Sequence, residues 1–266
     1  MDTPPRRPLG RTGLTVSPIG FGAFKIGRNT GTKYADAYDL PDDDRCRAIL
    51  EGVLDLGINL IDTAPAYGTS EERIGRLLGA RRDEFILSTK IGETFEDGRS
   101  RYDFTAGAVE RSIDRSLERL RTDRIDLLFV HSDGNDESIL RAGETLEAMS
   151  RRRDLGDVRC IGFSGKTADG HRLALEMGVD VLMVEYHLHD DSQRAVMEAA
   201  ESRGVGVVVK KGLASGRIPA TEAVPHCLAG PGVASLVVGS LNLDHLEANL
   251  RSASDRPDRD DQPSSR

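Results

Sequence analysis

The stretch Ile58-Asn59-Leu60-Ile61-Asp62, followed by the loop Thr63-Ala64-Pro65-Ala66-Tyr67-Gly68 and then Ser70-Glu71-Glu72, decides the fold. Its first five residues form a short apolar run without strict polar alternation, which marks a strand covered on both faces. Ser70 ahead of two acidic residues reads as an N-cap with an acidic first turn, and Gly79 reads as the stop. The same unit, strand then loop then helix, recurs along the chain. Strand candidates are Ser17–Gly22, Ile58–Asp62, Glu84–Thr89 (running on to Lys90), Ile125–Val130, Val158–Phe163, Val181–Tyr186, Val205–Val209 and Ser235–Val238. Helical spacing fills the gaps: Asp42–Leu56, the segment from Ser70 to Gly79, Thr105–Arg121, Ser138–Arg152, Thr167–Met177, Asp191–Arg203, Thr221–Leu228 and Leu243–Ser252.

Eight strands separated by helices fit a closed (β/α)8 TIM barrel or an open doubly wound sheet. The open sheet would carry Gly-x-Gly-x-x-Gly after its first strand. Gly20-Phe21-Gly22 lacks the third glycine, so the barrel is the expectation. Pro8–Val16 reads as an N-terminal β-hairpin with Thr12-Gly13 at its turn, capping the barrel bottom. A chain of 266 residues suits one such domain, placed at 1–254. Residues 255–266 are polar, with no apolar anchor, and read as a disordered tail.

A net charge of -8 offers no global attraction to nucleic acid or to an anionic membrane. No apolar run reaches the length of a membrane span, and Met1–Pro8 does not resemble a secretory signal. The three cysteines, Cys46, Cys160 and Cys227, are widely spaced, which argues against a disulfide framework or a zinc knuckle and for a reducing, cytoplasmic setting.

In a (β/α)8 barrel, chemistry sits at the C-terminal ends of the strands. Asp62 ends the second strand, Tyr67 lies in the loop after it, Lys90 ends the third and His131 the fourth. One such residue alone would be a cap, a packing ring or a solvated charge. A carboxylate, a phenol, an ammonium and an imidazole on one rim suit proton transfer to a carbonyl that receives a hydride. A phenol with a pKa of about 10 is a weak acid at neutral pH. A neighbouring cation lowers that pKa, and Lys90 is placed to supply the cation. Asp62 would hold Lys90, and His131 would orient the oxygen. Glu185, His187 and His189 alternate and would share a strand face, the pattern of a metal-dependent hydrolase. With no second cluster to complete it, no metal site is assigned.

Three stretches together resemble the aldo-keto reductase family: Ile61-Asp62-Thr63-Ala64-Pro65-Ala66-Tyr67-Gly68-Thr69-Ser70-Glu71, Ser88-Thr89-Lys90 and Asp126-Leu127-Leu128-Phe129-Val130-His131. The likeness covers roughly residues 8–252. It implies that Tyr67 is the general acid/base, completed by Asp62, Lys90 and His131. It also implies NADP(H) as the favoured cofactor, with NAD(H) or dual use as the other outcome, lying across the barrel mouth without a Rossmann fold.

Cofactor positions follow from the same resemblance. They are Gly22, Ala23 and Phe24 after the first strand, Asp62, Ser164, Met183, Lys210, Lys211, Gly212 and Leu213, and then Gly239, Ser240, Asn242, His245 and Asn249 around the last helix. The chain departs from the family at several of them. Gly165 stands where Asn is usual, Met183 where Gln is usual, His187 where Asn is usual, and His245 where Arg is frequent. Lys210-Lys211 replaces the stretch that usually carries a stacking aromatic. The loop Ile91–Asp103, with Phe95, Arg99, Arg101 and Tyr102, suggests a polar mouth for a small carbonyl or sugar substrate. No nucleic-acid or membrane partner is expected, and the protein is read as a monomer or small homo-oligomer. The departures keep a second reading open: a catalytically weak NADP(H)-binding sensor on the same barrel.

Overall fold

The structure is a computed structural model that describes residues 5–32 and 37–254. The expected tail at 255–266 lies outside the described residues. The chain opens with an antiparallel hairpin, β1 (Arg7–Pro8) against β2 (Thr15–Val16), in which Arg7 faces Val16. Next come β3 (Ile19–Gly22), α1 (Asp43–Asp55), β4 (Leu60–Asp62), α2 (Ser70–Leu78) and β5 (Ile86–Ile91). A second hairpin, β6 (Glu93–Glu96) and β7 (Arg99–Tyr102), precedes α3 (Ala106–Leu120) and β8 (Ile125–His131). Then follow α4 (Asp136–Ala142), α5 (Glu144–Leu155), β9 (Val158–Ser164), α6 (Ala168–Glu176), β10 (Val181–Glu185) and α7 (Arg194–Arg203). The chain continues with β11 (Gly206–Lys210), α8 (Ala220–Leu228), β12 (Val233–Val238) and α9 (Leu243–Ser254).

Eight parallel strands close in chain order: β3, β4, β5, β8, β9, β10, β11, β12 and back to β3. The (β/α)8 barrel and its hairpin cap are both present. Strand alternation divides the core in two. Outward residues such as Ile61, Leu87, Leu128, Ile161, Leu182 and Val209 pack beneath the helices. Inward residues such as Leu60, Ile86, Leu127, Cys160, Met183 and Val208 fill the barrel, joined by Leu9, Leu14 and Val16 of the hairpin. The hairpin therefore plugs the N-terminal end and leaves the C-terminal end as the mouth. Helix α1 shows why the helices lie where they do: Cys46, Ile49, Leu50, Val53 and Leu54 recur at helical spacing and are all buried, and Asp42 caps the helix by accepting from the Arg45 N–H at 2.8 Å.

Four local expectations are corrected. Ser70 is the first residue of α2, not its cap; Thr69 precedes it without a side-chain cap bond. The Ser70 hydroxyl donates instead to Ala23 O at 2.9 Å and accepts from Thr63 Oγ1 at 2.8 Å, tying the β4–α2 loop to the end of β3. The helix expected over Ser138–Arg152 breaks at Gly143, whose φ of 77° suits glycine in a turn between α4 and α5. The stretch expected as a loop over Ile91–Asp103 is largely the β6–β7 hairpin, turned at Asp97-Gly98 with both residues at positive φ. The strand expected to carry Glu185, His187 and His189 on one face ends at Glu185. His187 closes a tight turn with Asp190, and His189 is exposed. Among the described residues no group of three or more His, Cys, Asp or Glu side chains could hold a metal ion.

Candidate active site at the barrel mouth

Alternation sets which side chains reach the mouth. In β4, Leu60 and Asp62 point the same way; in β5, so do Ile86, Ser88 and Lys90; in β8, so do Leu127, Phe129 and His131. Because the lower members of each series fill the barrel, the last member must stand at its rim. The same parity sends Ser164, Glu185 and Lys210 upward from β9, β10 and β11. Strand register places His131 beside Ser164 and Glu185 beside Lys210.

Lys90 and Asp62 are almost wholly buried and form a two-pronged pair, with Nζ 2.8 and 2.7 Å from the two carboxylate oxygens. Lys90 Nζ also donates to Thr63 O at 2.8 Å, and Ser88 Oγ donates to Asp62 Oδ1 at 2.7 Å. Burial works against the Lys90 ammonium, but Asp62 and then Tyr67 more than offset it, so its pKa lies above the usual lysine value. Lys90 Nζ sits 4.8 Å from the centre of the Tyr67 ring. Burial pushes the Tyr67 phenol up to about 12, with Lys90 pulling in the opposite direction. The expected lowering is thus reversed: desolvation outweighs the cation, and the phenol keeps its proton at neutral pH.

His131 packs edge-on to Tyr67, with ring centres 6.4 Å apart. Its Nδ1 lies 2.8 Å from Glu93 Oε2 in the β6–β7 hairpin, although the carboxylate sits off the line of the ring N–H. Burial lowers the His131 pKa, and Glu93 opposes that effect. Burial also works against the Glu93 carboxylate, but His131, with Ser100 and Tyr102, holds its pKa down to about 2. Glu93 was not legible as a site residue, because only the hairpin brings it back over the mouth. Arg28, in the loop after β3, was also missed, because its partners Phe95 and Ala66 come from distant segments. Its guanidinium lies 3.2 Å from the Phe95 ring centre and 5.3 Å from that of Phe24, and it donates to Ala66 O at 3.0 Å. Phe24 in turn meets the Tyr67 ring edge-on at 5.1 Å. Phe24, Arg28 and Phe95 thus wall the Tyr67 side of the mouth, whereas Arg99–Tyr102 are exposed along β7.

The cofactor positions inferred from the resemblance divide. Gly22 and Gly239 lie side by side: a Cβ at Gly22 would stand 3.0 Å from Val237 Cγ1 and 3.5 Å from the Gly239 nitrogen. Ser164 and Lys210 share the mouth, with Lys210 Nζ donating to Ser164 Oγ at 2.8 Å and to Gly165 O at 2.9 Å. Lys211 pairs with Glu185 at the surface. Four other positions are filled by packing. Ala23 is buried among outer core residues, and Met183 inside the barrel. Gly212 is wedged where a Cβ would meet Leu236 at 2.6 Å and Cys227 at 2.7 Å, and Leu213 packs against the outer core. At the start of α9, Asn242 Oδ1 accepts from Asp244 N at 2.8 Å and acts as a cap. Ser240 Oγ exchanges 3.1 Å bonds with the Asn242 backbone, so both side chains are engaged locally. His245 is exposed beside them, and Asn249 is buried on the core face of α9 with Leu246 and Leu250 rather than open to a base.

Gly165 has a structural reason. A Cβ there would stand 2.5 Å from Phe163, 2.9 Å from Asp136 Oδ2 and 3.1 Å from His171 Nε2, so no amide side chain fits. Asp136 accepts from the backbone N–H groups of Lys166 and Thr167 at 2.8 and 2.7 Å, and fastens the loop after β9. Gly165 N donates to His171 Nε2 at 3.2 Å, and His171 Nδ1 meets Gln193 Oε1 at 3.0 Å. Burial lowers the His171 pKa to about 4, so the brace is a neutral imidazole.

Between its unfolded value of 6.5 and about 4, the unfolded chain binds a proton that the folded chain refuses. Stability should therefore fall as pH falls through that window. Urea unfolding at pH 7 and pH 4.5 should show the wild type losing roughly 2 kcal/mol more than His171→Gln, in which an amide oxygen can still accept from Gly165. Equal losses in the two proteins would refute the brace.

The mouth offers donors that would fit a nicotinamide carboxamide. Among the described residues, the third N–H of Lys210 and the hydroxyl proton of Ser164 have no acceptor. Two free donors thus stand beside the Asp62, Lys90, Tyr67 and His131 cluster.

The family model described as "Aldo/keto reductase family" matches residues 18–226, more than three quarters of the chain. The chain belongs to the aldo-keto reductase family. It is an NAD(P)-dependent oxidoreductase of carbonyl compounds. It is 32% identical to L-galactose dehydrogenase of Arabidopsis thaliana over 289 residues, covering 92% of this chain and 86% of the relative. It is 30% identical to D-threo-aldose 1-dehydrogenase of a Pseudomonas species, covering 79% of this chain and 70% of the relative. The crystal structure of an aldo-keto reductase assigned as such in Pseudomonas aeruginosa superposes with a TM-score of 0.86 at 44% identity, covering 94% of each chain. Among the described residues of this aldo-keto reductase, no helix is long and apolar enough to cross a membrane.

Proposed function

We propose that this reductase interconverts the carbonyl of a small polar aldehyde, ketone or sugar with its alcohol, with NADP(H) preferred and Tyr67 as general acid/base. The observation that carries the reading is the contact series Tyr67, Lys90, Asp62 on one rim, with His131 facing the same phenol. When bound, NAD(P)H supplies the hydride. Tyr67 holds the proton that the carbonyl oxygen needs as negative charge builds on it. Lys90 stabilises the phenolate left behind, at a cost of reorganisation reduced by its fixed pairing with Asp62. Each pKa unit by which that ammonium eases phenol ionisation corresponds to about 1.4 kcal/mol.

The Glu93 carboxylate, 2.8 Å from His131 Nδ1, favours a proton on that nitrogen by its charge. Nε2 then accepts from a substrate hydroxyl when the ring is neutral, and donates to a carbonyl oxygen only when the ring is charged. This refines the expected donor role, because the charge of the hairpin carboxylate favours one tautomer. Phe24 and Phe95 exclude water on the Tyr67 side, and the Arg28 cation between them gives the wall a polar surface. The resemblance to two sugar dehydrogenases supports a polyhydroxylated carbonyl or lactol as the substrate class.

A fluorescence titration with NADPH and NADH tests the reading, followed by turnover on a panel of aldehydes, ketones and aldoses with the tighter nucleotide. NADPH should bind at least about tenfold more tightly than NADH, and aldoses or short hydroxyaldehydes should be turned over. Tighter NADH binding would overturn the cofactor preference. Tight nucleotide binding with no turnover on any of the panel would overturn the assignment as a working reductase.

A further inference from the structure

Among the described residues, Lys210 has no hydrogen-bonded carboxylate partner where the strand register would supply one. Glu185 sits opposite it on β10, but the Glu185 carboxylate pairs with Lys211. The Lys210 ammonium instead bonds two uncharged groups, Ser164 Oγ and Gly165 O. Ser164 is the register neighbour of His131, so the ammonium stands on the rim beside the proton-transfer group. A hydride donor must reach a carbonyl held by Tyr67, so its nicotinamide ring has to enter this part of the mouth. The positions that carry amides in the family cannot hold it here: Gly165 has no room for a side chain, and Met183 is an apolar residue buried in the barrel. Among the described residues, the third N–H of Lys210 and the hydroxyl of Ser164 are donors without an acceptor there, and they suit a carboxamide oxygen.

We propose that Lys210, with Ser164, anchors the nicotinamide carboxamide in place of the missing amide side chains, and that its positive charge makes the site bind the reduced, uncharged nicotinamide more tightly than the oxidised, cationic one. This rests on the reading of the protein as a nicotinamide-dependent reductase. Two like charges a few ångströms apart repel even at the effective dielectric of a protein surface. A neutral amide in the same place, as in the usual arrangement, would hold the ring without that penalty. The charge therefore biases the enzyme towards the form that reduces carbonyls and speeds release of the oxidised product.

The Lys210 charge is itself adjustable. Burial, then Lys211 and Lys90, lower its pKa to about 7. The other charged or titratable groups facing it are Asp62 beneath Lys90, His131 on β8, Asp136 on α4, His171 on α6, and Glu185 in its pair with Lys211. Burial keeps His131 and His171 neutral near pH 7, and Lys90 stays charged.

The test measures Kd for NADPH and for NADP+ by fluorescence and calorimetry, in the wild type and in Lys210→Met and Lys210→Arg. The quantity read is the ratio of the two constants, in which effects on the adenosine and phosphate ends cancel. The preference for NADPH should fall about tenfold in Lys210→Met and persist in Lys210→Arg. In the wild type it should weaken as pH rises from 6 to 8.5, and this arm decides the question if Lys210→Met does not fold. A ratio unchanged by Lys210→Met, or flat with pH in the wild type, would overturn the proposal while leaving the reductase reading standing. Failure of the wild type to bind either nucleotide would remove both.

Discussion

Tyr67→Phe should lower kcat by about 10³-fold while leaving the Kd for NADPH within about twofold of the wild type. The substitution removes one hydroxyl from a ring that keeps its other contacts: the edge of Phe24 at 5.1 Å, His131 at 6.4 Å and the Lys90 ammonium at 4.8 Å. The phenylalanine ring should therefore stay in place, and stability should change little. What disappears is the proton. The phenol lies well above its ordinary pKa, so at neutral pH it is a loaded acid that gives up its proton only as oxyanion charge develops nearby. His131 is a poor substitute, since burial lowers its pKa and disfavours the charged form that could donate. Steady-state kinetics on the best substrate, with nucleotide titration of the same sample, measures both quantities. Turnover within tenfold of the wild type would remove Tyr67 from its assigned role.

Lys90→Met should be the most destabilising single change at the mouth, by roughly 3–5 kcal/mol. Lys90 and Asp62 are both almost completely buried, and losing the ammonium leaves the carboxylate with the Ser88 hydroxyl as its remaining side-chain donor. For a chain of this size that corresponds to a melting temperature lower by roughly 10 °C. The sign with pH follows. The unpaired Asp62 carboxyl would prefer its neutral form, so its folded pKa would rise above the unfolded value of about 3.9. The penalty is then full above that raised pKa and fades as pH falls towards the unfolded value. Replacing the carboxylate as well, in Asp62→Asn with Lys90→Met, should recover much of the stability without recovering turnover. Calorimetric melting of the two single variants and the double variant provides the cycle. Additive losses would show that the pair is not coupled as its 2.7 Å geometry requires.

The sequence by itself determined the barrel and the residues at its rim. Covered strands are apolar on both faces, so their runs stand out, and the end of each run fixes which side chain faces the mouth. Asp62 and His131 end their strands and Lys90 is one residue short of the end of its strand, and Tyr67 follows Asp62 within one short loop. Local chemistry was enough to find them.

Only the tertiary structure decided what surrounds them. Glu93 reaches His131 because residues 93–102 fold into a hairpin, and the alternation of that hairpin is too polar to separate it from a loop. The Gly165 backbone is set by Asp136 and His171, which arrive from α4 and α6. The direction of the Tyr67 pKa also required three dimensions. Its neighbour Lys90 was readable from sequence, but desolvation depends on everything packed around the ring, and here it is the larger effect. The Lys210 ammonium was visible as one of two adjacent basic residues, yet its bonding to uncharged groups rather than to its register neighbour depends on Glu185 pairing with Lys211. Strand periodicity is carried by each segment alone, and so survives in the sequence. Burial, pairing and charge balance belong to side chains that meet from distant segments, and only the closed barrel brings those together.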